Sequence, residues 1–334
     1  MSGERIALDV HAHLAPIVAE SLAGIDGVAW SAATRTLSVD GHDVGMKALF
    51  TPAALLEWMA AHDVAETWIS APPPLYRQHL RGADARRWAD YVNDGLTEIA
   101  ESSGGRLRAL RHLPTQDPDV AVAVAEAAIA SGHALFAMPA GTGDERVLSD
   151  AAFEGLWSVL NGARAFVFVH PGECADGRLA GFYLGNLLGN PYETTVAIAH
   201  LAFGGVLDRY HDFTLCFAHG GGAAGALAGR FSRGFDTARP GVNAKGQSPG
   251  AALRSICVDC IVHDEAALVL AERWIGAEKI LFGSDWPFPM GLPDPRAQFE
   301  GFDAARRARV FSDNPEALLR SLGARTLTCE ATDG

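Results

Sequence analysis

Short apolar segments alternate with longer amphipathic segments along most of the chain. Eight apolar segments are rich in β-branched and aromatic residues, and most of the stretches between them place apolar residues three or four positions apart, which is typical of a helix with one buried face. Almost continuously apolar strands that alternate with amphipathic helices indicate a parallel sheet covered by helices on its outer face. The predicted strands are 5–10, 66–70, 106–112, 134–138, 165–170, 214–218, 255–259 and 279–283, and the clearest predicted helices are 52–62, 86–101, 118–131, 150–160, 193–207 and 265–276.

Eight strand–helix units favour a closed (β/α)8 barrel, an α/β fold of the TIM-barrel type, over an open doubly wound sheet, which stays the alternative at this point. Two segments interrupt the repeat. Residues 28–45 alternate apolar and polar positions around the turn-forming pair Asp40-Gly41, which predicts a small β insertion after the first strand. Residues 233–250 are rich in glycine, proline and polar residues and predict a loop before the seventh strand. Because the insertion is too short to fold alone, we expect one domain across residues 1–334.

The composition and charge of the chain restrict its partners. With 49% hydrophobic and 20% charged residues, the chain has the profile of an ordinary globular protein. The formal net charge of -13 repels nucleic acid and anionic membrane surfaces, so we expect neither as a partner. Few cysteines, and no charged segment followed by an apolar one at the start, favour a cytoplasmic location. No apolar run approaches the ~18 residues that a membrane span needs.

Histidine and aspartate side chains stand where predicted strands end. His11 and His13 close the first strand and, being two positions apart, project to the same side of it. His170 closes the fifth strand, His219 the sixth and Asp285 the eighth. In a barrel these carboxyl ends meet on one face, on which barrel enzymes build their active sites. The positions therefore predict a common site.

The residue types in this predicted site are those of a catalytic metal centre. Two or three neutral imidazoles with one carboxylate and an open position are typical of catalytic zinc. A divalent ion held in this way lowers the pKa of a bound water towards neutrality and polarises a carbonyl or carboxylate. The alternative is a set of core histidines, each satisfied by the backbone, and the coincidence of four strand ends makes that alternative the weaker one.

Several motifs of the chain resemble those of a known family. They are Asp9-Val10-His11-Ala12-His13, Val169-His170-Pro171, Phe217-Ala218-His219-Gly220-Gly221-Gly222 and Gly283-Ser284-Asp285-Trp286-Pro287-Phe288-Pro289. In these motifs the chain resembles the amidohydrolase superfamily (amidohydrolase family 2). The His-Gly-Gly-Gly motif places the resemblance in the branch of metal-dependent decarboxylases typified by aminocarboxymuconate-semialdehyde decarboxylase. The resemblance extends from about Ile6 to Leu319, nearly the whole chain.

The resemblance implies a role for each site residue. Asp9 would support the metal ligands or occasionally join them. His219 would act as the catalytic base towards the metal-activated water and later return a proton to the substrate, which suits an imidazole that titrates near neutral pH. The implied ligands of one zinc ion per subunit, or of manganese or another divalent transition metal, are His11, His13, His170 and Asp285.

On the substrate side the resemblance carries over only in part. Arg230 matches an arginine that reaches across a dimer interface to a substrate carboxylate, which implies a homodimer and a small carboxylated substrate. Trp286 and Phe288 would form an apolar wall against a planar substrate. A second carboxylate-binding arginine of the family is replaced by Asp43, with Lys47 as the nearest cation.

The expected activity is the non-oxidative loss of CO₂ from a small carboxylated aromatic compound or ring-cleavage product. Two alternatives stay open. The same metal-activated water would serve a hydrolase or hydratase of a lactone, amide or unsaturated acid, with Asp285 as the catalytic proton acceptor. The predicted strand 134–138 lacks the lysine that many two-metal hydrolases use, which favours a single metal. The other alternative is a non-catalytic metal-binding barrel, which would have no use for His219 beside the ligands.

Overall fold

Twelve strands and twelve α-helices make up the part of the chain that the computed structural model describes, residues 4–172, 174 and 176–330, with side chains described up to residue 323. The strands are β1 (Ile6–His13), β2 (Val28–Ser31), β3 (Thr36–Val39), β4 (His42–Val44), β5 (Val64–Ser70), β6 (Leu107–Ala109), β7 (Arg111–His112), β8 (Leu135–Pro139), β9 (Phe166–His170), β10 (Thr214–Phe217), β11 (Cys257–Asp259) and β12 (Ile280–Leu281). The helices are α1 (Ala19–Leu22), α2 (Pro52–Ala61), α3 (Gly82–Glu101), α4 (Pro118–Ala130), α5 (Glu154–Gly162), α6 (Asn190–Phe203), α7 (Val206–Arg209), α8 (Ala224–Asp236), α9 (Pro249–Leu253), α10 (Glu265–Trp274), α11 (Ala304–Ala308) and α12 (Asn314–Glu330). None of these helices combines the length and the apolarity needed to cross a membrane.

A closed parallel barrel is the centre of the fold. In one run of neighbours β1 pairs with β5 and β5 with β6, and in the other β7 to β12 pair in chain order, all in parallel. β6 and β7 are two halves of one barrel strand, because Leu110 between them still donates its amide hydrogen to the oxygen of Ile69 in β5 (2.9 Å). The ring closes where the amide of Val10 in β1 donates to the oxygen of Phe282, directly after β12 (3.0 Å). The predicted (β/α)8 barrel is confirmed.

Side chains fill the interior of the barrel. Trp68, Phe166 and Phe168 belong to this interior cluster and are at most 1% exposed. Leu318 of α12 belongs to it as well, and Asn314 at the start of α12 donates to the oxygen of Ile280 at the start of β12 (2.8 Å). Helix α12 therefore covers the amino-terminal end of the barrel, and the carboxyl end is the one that can admit a small molecule. A second, larger apolar cluster lies between the barrel and the surrounding helices.

A β-bulge in β1 sets the direction of its side chains. Leu8 pairs with Glu66 of β5, but farther along His13 pairs with Ser70, so β1 has one more residue than β5 between these two pairs. Because Glu66 and Ser70 lie on the same face of β5, Leu8 and His13 both face the barrel interior although they are an odd number of positions apart. Leu8 therefore faces the barrel interior before the bulge, and His11 and His13 face it after the bulge.

Several element boundaries differ from those predicted by the sequence pattern. The predicted helix 193–207 ends at Phe203, because a glycine pair follows in which Gly205 takes a left-handed φ of 71°. The predicted helix 86–101 begins earlier, at Gly82. The amide of Gly82 donates to the carboxylate of Asp117, which directly precedes α4 (2.7 Å). The predicted loop 233–250 is shorter, since α8 continues to Asp236 and α9 begins at Pro249.

The predicted β insertion is confirmed as an antiparallel sheet of β2, β3 and β4. Arg77, which follows β5 along the chain, fastens this sheet to the barrel. Its guanidinium donates to both carboxylate oxygens of Asp40 (2.9 and 2.6 Å) at the β3–β4 turn and to the oxygen of Asp26 (2.8 Å). The buried Arg77 side chain also lies over the ring of Trp88 in α3, 5.0 Å from its centre. One arginine thus joins the insertion to two elements of the barrel.

Arg77→Met should lower the free energy of unfolding by about 2 kcal/mol near pH 7, because hydrogen bonds to a charged group are lost. Hydrogen bonding to Arg77 holds the pKa of Asp40 below the ordinary carboxyl value. The Arg77–Asp40 pair therefore stabilises the fold fully at pH values above the ordinary carboxyl pKa. This stabilisation is lost as the pH falls through the lower pKa that Asp40 has in the folded protein. Urea unfolding at pH 7 and at about pH 3 should show the difference between the two proteins shrinking in acid.

Arg86→Met is the matched control, since it removes an exposed ion pair with Asp90 on α3. It should change the free energy of unfolding by less than about 0.5 kcal/mol at either pH. A loss from Arg77→Met that is equal at both pH values would contradict the ion-pair explanation and leave the hydrogen bond to the oxygen of Asp26 and the packing against Trp88.

Candidate metal centre

Four side chains converge at the carboxyl end of the barrel. They belong to His11 and His13 at the end of β1, His170 at the end of β9 and Asp285 in the segment after β12. One ligand atom from each lies within 4.8 Å of all the others, and all four residues are buried. The structure thus brings together four residues that the sequence places at three different strand ends.

Hydrogen bonds at the Nδ1 atoms orient the three imidazoles. His11 Nδ1 lies 2.7 Å from Oδ2 of Asp259, and His170 Nδ1 lies 2.8 Å from the oxygen of Pro171. A carboxylate and a carbonyl oxygen only accept, so both Nδ1 atoms carry the hydrogen. His13 Nδ1 is 3.1 Å from the hydroxyl oxygen of Ser70, which can accept its hydrogen and donate its own to the oxygen of Ala12 (3.4 Å). In this arrangement the Nε2 atom of each neutral imidazole is an acceptor.

The lone pairs of these Nε2 atoms face one another at short distance. Nε2 of His11 and Nε2 of His13 are 3.0 Å apart, and each is 3.2 Å from Oδ1 of Asp285. Lone pairs this close repel unless a proton or a cation lies between them, and the geometry gives the buried Oδ1 of Asp285 no hydrogen bond. The donor set therefore fits a divalent cation, and imidazoles with a carboxylate are ligands that zinc and manganese accept.

The charges within the cluster also favour a cation. Burial, with the neighbouring His13 and His11, holds the pKa of His170 well below its ordinary value, which keeps it in the neutral, metal-binding form. Burial opposes a charge on His11 too, but the carboxylates of Asp285 and Asp259 outweigh it and raise the pKa of His11 to about 10. Burial alone would raise the pKa of Asp285, yet His11, His13 and His219 hold it well below the ordinary value. A divalent ion entering the cluster would replace the proton on His11.

His219 lies beside the cluster and is not one of the four converging ligands. Its Nε2 is 3.9 Å from Oδ2 of Asp285, and its ring centre is 5.1 Å from that of His170. Its side chain is 18% exposed, whereas the side chains of His11 and His13 are fully buried. His219 is therefore the imidazole that a substrate can reach.

A left-handed turn presents His219 to the cluster. The φ angles are 55° at His219, 62° at Gly220 and 77° at Gly221. Such angles are rare for residues that carry a side chain, and they mark functional positions more often than ordinary loops. A Cβ on Gly220 would lie 2.2 Å from Cγ1 of Val262, so glycine is required there by space as well as by conformation. The glycine motif thus serves to hold His219 in place.

Asp9 supports the cluster from outside it. Its carboxylate accepts hydrogen bonds from the hydroxyl of Ser284 (2.6 Å) and from the amides of Ser284 and His11 (3.0 Å each). Burial raises the pKa of Asp9 to about 7. These bonds join the end of β1 to the segment that carries Asp285, which also has a left-handed φ of 55°. Asp9 is not among the converging ligand atoms, because it precedes the bulge and so lies on the opposite face of β1.

The sequence motifs do not include Asp259, although it closes the seventh predicted strand as His170 closes the fifth. In the structure Asp259 is fully buried and contacts His11. Its position at a strand end was the available signal, but no neighbouring motif distinguishes it from an ordinary buried aspartate.

The residues expected to contact a substrate differ in their positions. Phe288 borders the cluster, with its ring centre 5.3 Å from that of His13. Trp286 is half-buried, and its oxygen accepts the amide hydrogen of His13 (2.8 Å). Lys47 is exposed on the short turn that follows the β insertion. Arg230 is exposed on α8, about 9 Å along the helix axis from its first residue.

Comparison with known proteins identifies sequence relatives over most of the chain. A family model described as amidohydrolase matches residues 8–321. A Dictyostelium discoideum protein named 2-amino-3-carboxymuconate-6-semialdehyde decarboxylase is 29% identical over 243 residues, which cover 72% of this chain and 67% of that protein. A Caenorhabditis elegans protein of the same name is 39% identical over 130 residues, which cover 37% of this chain and 32% of that protein.

A solved structure shares the fold. It is the dihydroxybenzoic acid decarboxylase of Polaromonas sp. JS666 with bound manganese and the inhibitor 2-nitroresorcinol. The two structures superpose with a TM-score of 0.78 at 19% sequence identity, and the alignment covers 95% of this chain and 97% of that one. At this level of identity the likeness establishes the architecture alone.

Proposed function

The chain belongs to the amidohydrolase family, and on that premise we propose that it is a metal-dependent decarboxylase, a carbon–carbon lyase that removes CO₂ from a small carboxylated aromatic compound or ring-cleavage product. The curated relatives are named as decarboxylases, which supports the reaction class. The observation that carries the proposal is the placement of His219. It is a reachable imidazole beside, and not within, a set of three histidines and one aspartate that fits a single divalent cation.

The donor set is the proposed binding site of one zinc ion per subunit, with manganese as the alternative that the Polaromonas structure suggests. When bound, the ion would act as a Lewis acid that polarises the substrate and lowers the pKa of a water molecule. The chain prepares the site, because the hydrogen bonds at Nδ1 orient the imidazoles and raise their basicity. The proposed ligands are His11, His13, His170 and Asp285.

His219 is the proposed catalytic acid and base. Its Nε2 faces the carboxyl end of the barrel, and a neutral imidazole there can take up a proton and later return it. The carbon that loses CO₂ keeps the bonding electron pair and takes up this proton, which balances the reaction. Oδ2 of Asp285, 3.9 Å away, stabilises the imidazolium that forms in between. Asp285 thus has a catalytic role in addition to its place among the ligands.

Phe288 and Trp286 form the proposed apolar wall of the substrate pocket. Phe288 meets the ring of His13 edge to face, so a planar substrate beside the cluster would contact its ring. This wall excludes water from the side of the site nearest β12. Lys47 is the proposed point charge for a second polar group of the substrate, in place of the arginine that the resemblance leads one to expect.

Release of labelled CO₂ tests the proposed reaction. The metal-loaded protein is incubated with carboxyl-¹³C phenolic acids and unsaturated dicarboxylic acids, and the gas phase is analysed by mass spectrometry. In parallel, lactones and amides are assayed by acid release with a pH indicator. We expect labelled CO₂ from at least one carboxylated compound. Turnover of a lactone or amide with no CO₂ from any carboxylated compound would favour the hydrolase alternative.

We also propose a homodimer in which Arg230 binds the substrate carboxylate in the partner's site. Barrel helices run away from the carboxyl end, so Arg230, about 9 Å along α8, is carried away from the site of its own chain. An exposed apolar surface at residues 182–192 supports contact with a second copy, because patches of this kind mark interaction sites. The surface residues are Phe182 (92% exposed), Tyr183, Leu187, Leu188 and Tyr192.

Mixing two impaired variants, assayed at a substrate concentration near the KM of the unaltered protein, tests this arrangement. Arg230→Ala should raise KM by roughly 10- to 100-fold, because a charge-assisted pair with the substrate carboxylate is lost. In a mixed dimer, one subunit carries Arg230→Ala and the other carries His219→Ala. If Arg230 acts in the partner's site, the site of the Arg230→Ala subunit has its own His219 and receives Arg230 from the other subunit, so activity returns on mixing. Arg233→Ala, an exposed arginine on the same helix, should keep full activity. No recovery on mixing, or a monomer in sedimentation, would contradict the proposal.

A further inference from the structure

One buried carboxylate touches both the ligand cluster and the turn that carries His219. Oδ2 of Asp259 lies 2.7 Å from Nδ1 of His11, and Oδ1 accepts the amide hydrogens of Gly220 (2.9 Å) and Ile261 (3.1 Å). The Asp259 side chain is fully buried at the end of β11. Oδ2 of Asp259 is thus hydrogen-bonded to a proposed metal ligand, and Oδ1 is hydrogen-bonded to the turn that carries His219.

We propose that Asp259 is a positioning residue that sets the tautomer of His11 for metal binding and at the same time holds the turn of His219. This inference rests on the proposed metal centre. It concerns how this chain presents its ligand and its acid–base histidine, and it assigns Asp259 no contact with the metal or the substrate.

The directions of the hydrogen bonds carry the argument. Backbone amides only donate, so Gly220 and Ile261 require an acceptor at Oδ1. Oδ2 is also only an acceptor, so His11 must carry its hydrogen on Nδ1. Nε2 of His11 is then left with its lone pair, and this atom is the one that lies 3.2 Å from Oδ1 of Asp285. A carboxylate behind a metal-binding histidine orients the ring and raises its basicity.

The same side chain couples this tautomer to the position of His219. Gly220 directly follows His219, and its amide hydrogen reaches Oδ1 because the turn is left-handed there. A relaxed turn would leave the buried amide of Gly220 without its acceptor, which costs free energy. A change at Asp259 should therefore disturb metal binding and proton transfer together.

Asp259 supplies one acceptor to the backbone amides and a second acceptor to Nδ1 of His11. Asp259→Asn keeps only one of the two, since a side-chain amide has one acceptor oxygen where the carboxylate has two. The two backbone amides keep the amide oxygen on their side, and the NH₂ group then faces Nδ1 of His11. His11 must accept this hydrogen bond, so its own hydrogen moves to Nε2 and blocks the lone pair. We expect the variant to bind zinc about 10- to 100-fold more weakly than the unaltered protein.

Zinc affinity is measured on the full chain by competition with a chromophoric chelator, and thermal unfolding of the metal-free proteins reports on folding. Cys260→Ala is the matched control, because Cys260 is the adjacent buried residue and makes no hydrogen bond to His11 or Gly220. The control should bind zinc within twofold of the unaltered protein. A folded Asp259→Asn protein that binds zinc as tightly as the control would overturn the inference.

A measurement on the unaltered protein covers the case in which Asp259→Asn does not fold. In the zinc-loaded protein, ¹⁵N NMR of the histidine rings should show the His11 hydrogen on Nδ1 and zinc on Nε2. Zinc on Nδ1 of His11 would overturn the inference. Neither measurement depends on turnover, so tight zinc binding without CO₂ release would count against the proposed function and leave the role of Asp259 standing.

Discussion

His219→Asn should lower kcat by roughly 10²- to 10⁴-fold while the protein keeps its bound metal, because the substitution removes only the group that transfers the proton. Nε2 of His219 is outside the set of four converging ligand atoms, so the donors for the metal are untouched. Asparagine tolerates the left-handed φ of 55° at this position better than other residues with a side chain, which preserves the turn. Steady-state rates of CO₂ release and metal content by atomic emission are measured on the same samples.

His263→Asn is the matched control for this substitution. His263 is exposed on the same face of the barrel and has a similar left-handed φ of 57°, but it is not part of the cluster. Its replacement should leave kcat within about twofold. Loss of metal together with activity in His219→Asn would show that His219 is itself a ligand, and unchanged turnover would remove it from the mechanism.

Removal of the metal should lower turnover by about 10³-fold or more, since a Lewis acid contributes several kcal/mol to the transition state and each ~1.4 kcal/mol is a factor of ten. The protein is stripped with a chelator, and zinc or manganese is added back in separate samples. Activity should return with at least one of them. At a zinc concentration about 1,000 times Kd the free energy of unfolding should also rise by about 4 kcal/mol, which raises the unfolding midpoint.

His170→Ala shows whether both effects come from the proposed site. His170 contributes one of the three imidazoles, so its removal should abolish the recovery of activity and most of the thermal shift on adding zinc. Full activity of the stripped protein would sink the metal-dependent mechanism. A thermal shift of unchanged size in His170→Ala would place the metal elsewhere in the chain.

The convergence of the proposed ligands follows from the sequence pattern, because parallel strands bring their carboxyl ends to one edge. His11, His170 and Asp285 lie far apart in the chain, yet each follows an apolar strand-like segment. In a parallel barrel the carboxyl ends of all eight strands lie on one face, so these side chains come together there. The fold and the site were therefore predictable together, from periodicity and position.

The parts that were not predictable depend on contacts between elements. The bulge in β1 is visible only in the register with β5, where Leu8 pairs with Glu66 and His13 with Ser70. Without that register, strand alternation assigns Asp9 to the same face as His11, since the two are two positions apart. The link between Arg77 and Asp40 likewise joins residues whose neighbourhood the linear pattern does not reveal. Such pairings are set by tertiary packing, which local periodicity does not encode.

Closure of the ring between the first and last barrel strands has a consequence for how the protein is made. His11 leaves the ribosome early and Asp285 late, and they meet only when the segment after β12 docks beside β1. A nascent chain that ends before β12 carries the three imidazoles without their carboxylate and has no last strand to hold them in register. Pairings this distant in sequence form slowly, so the metal would enter last. On the proposed ligand set, a chain truncated before β12 would therefore retain metal less well than the finished barrel.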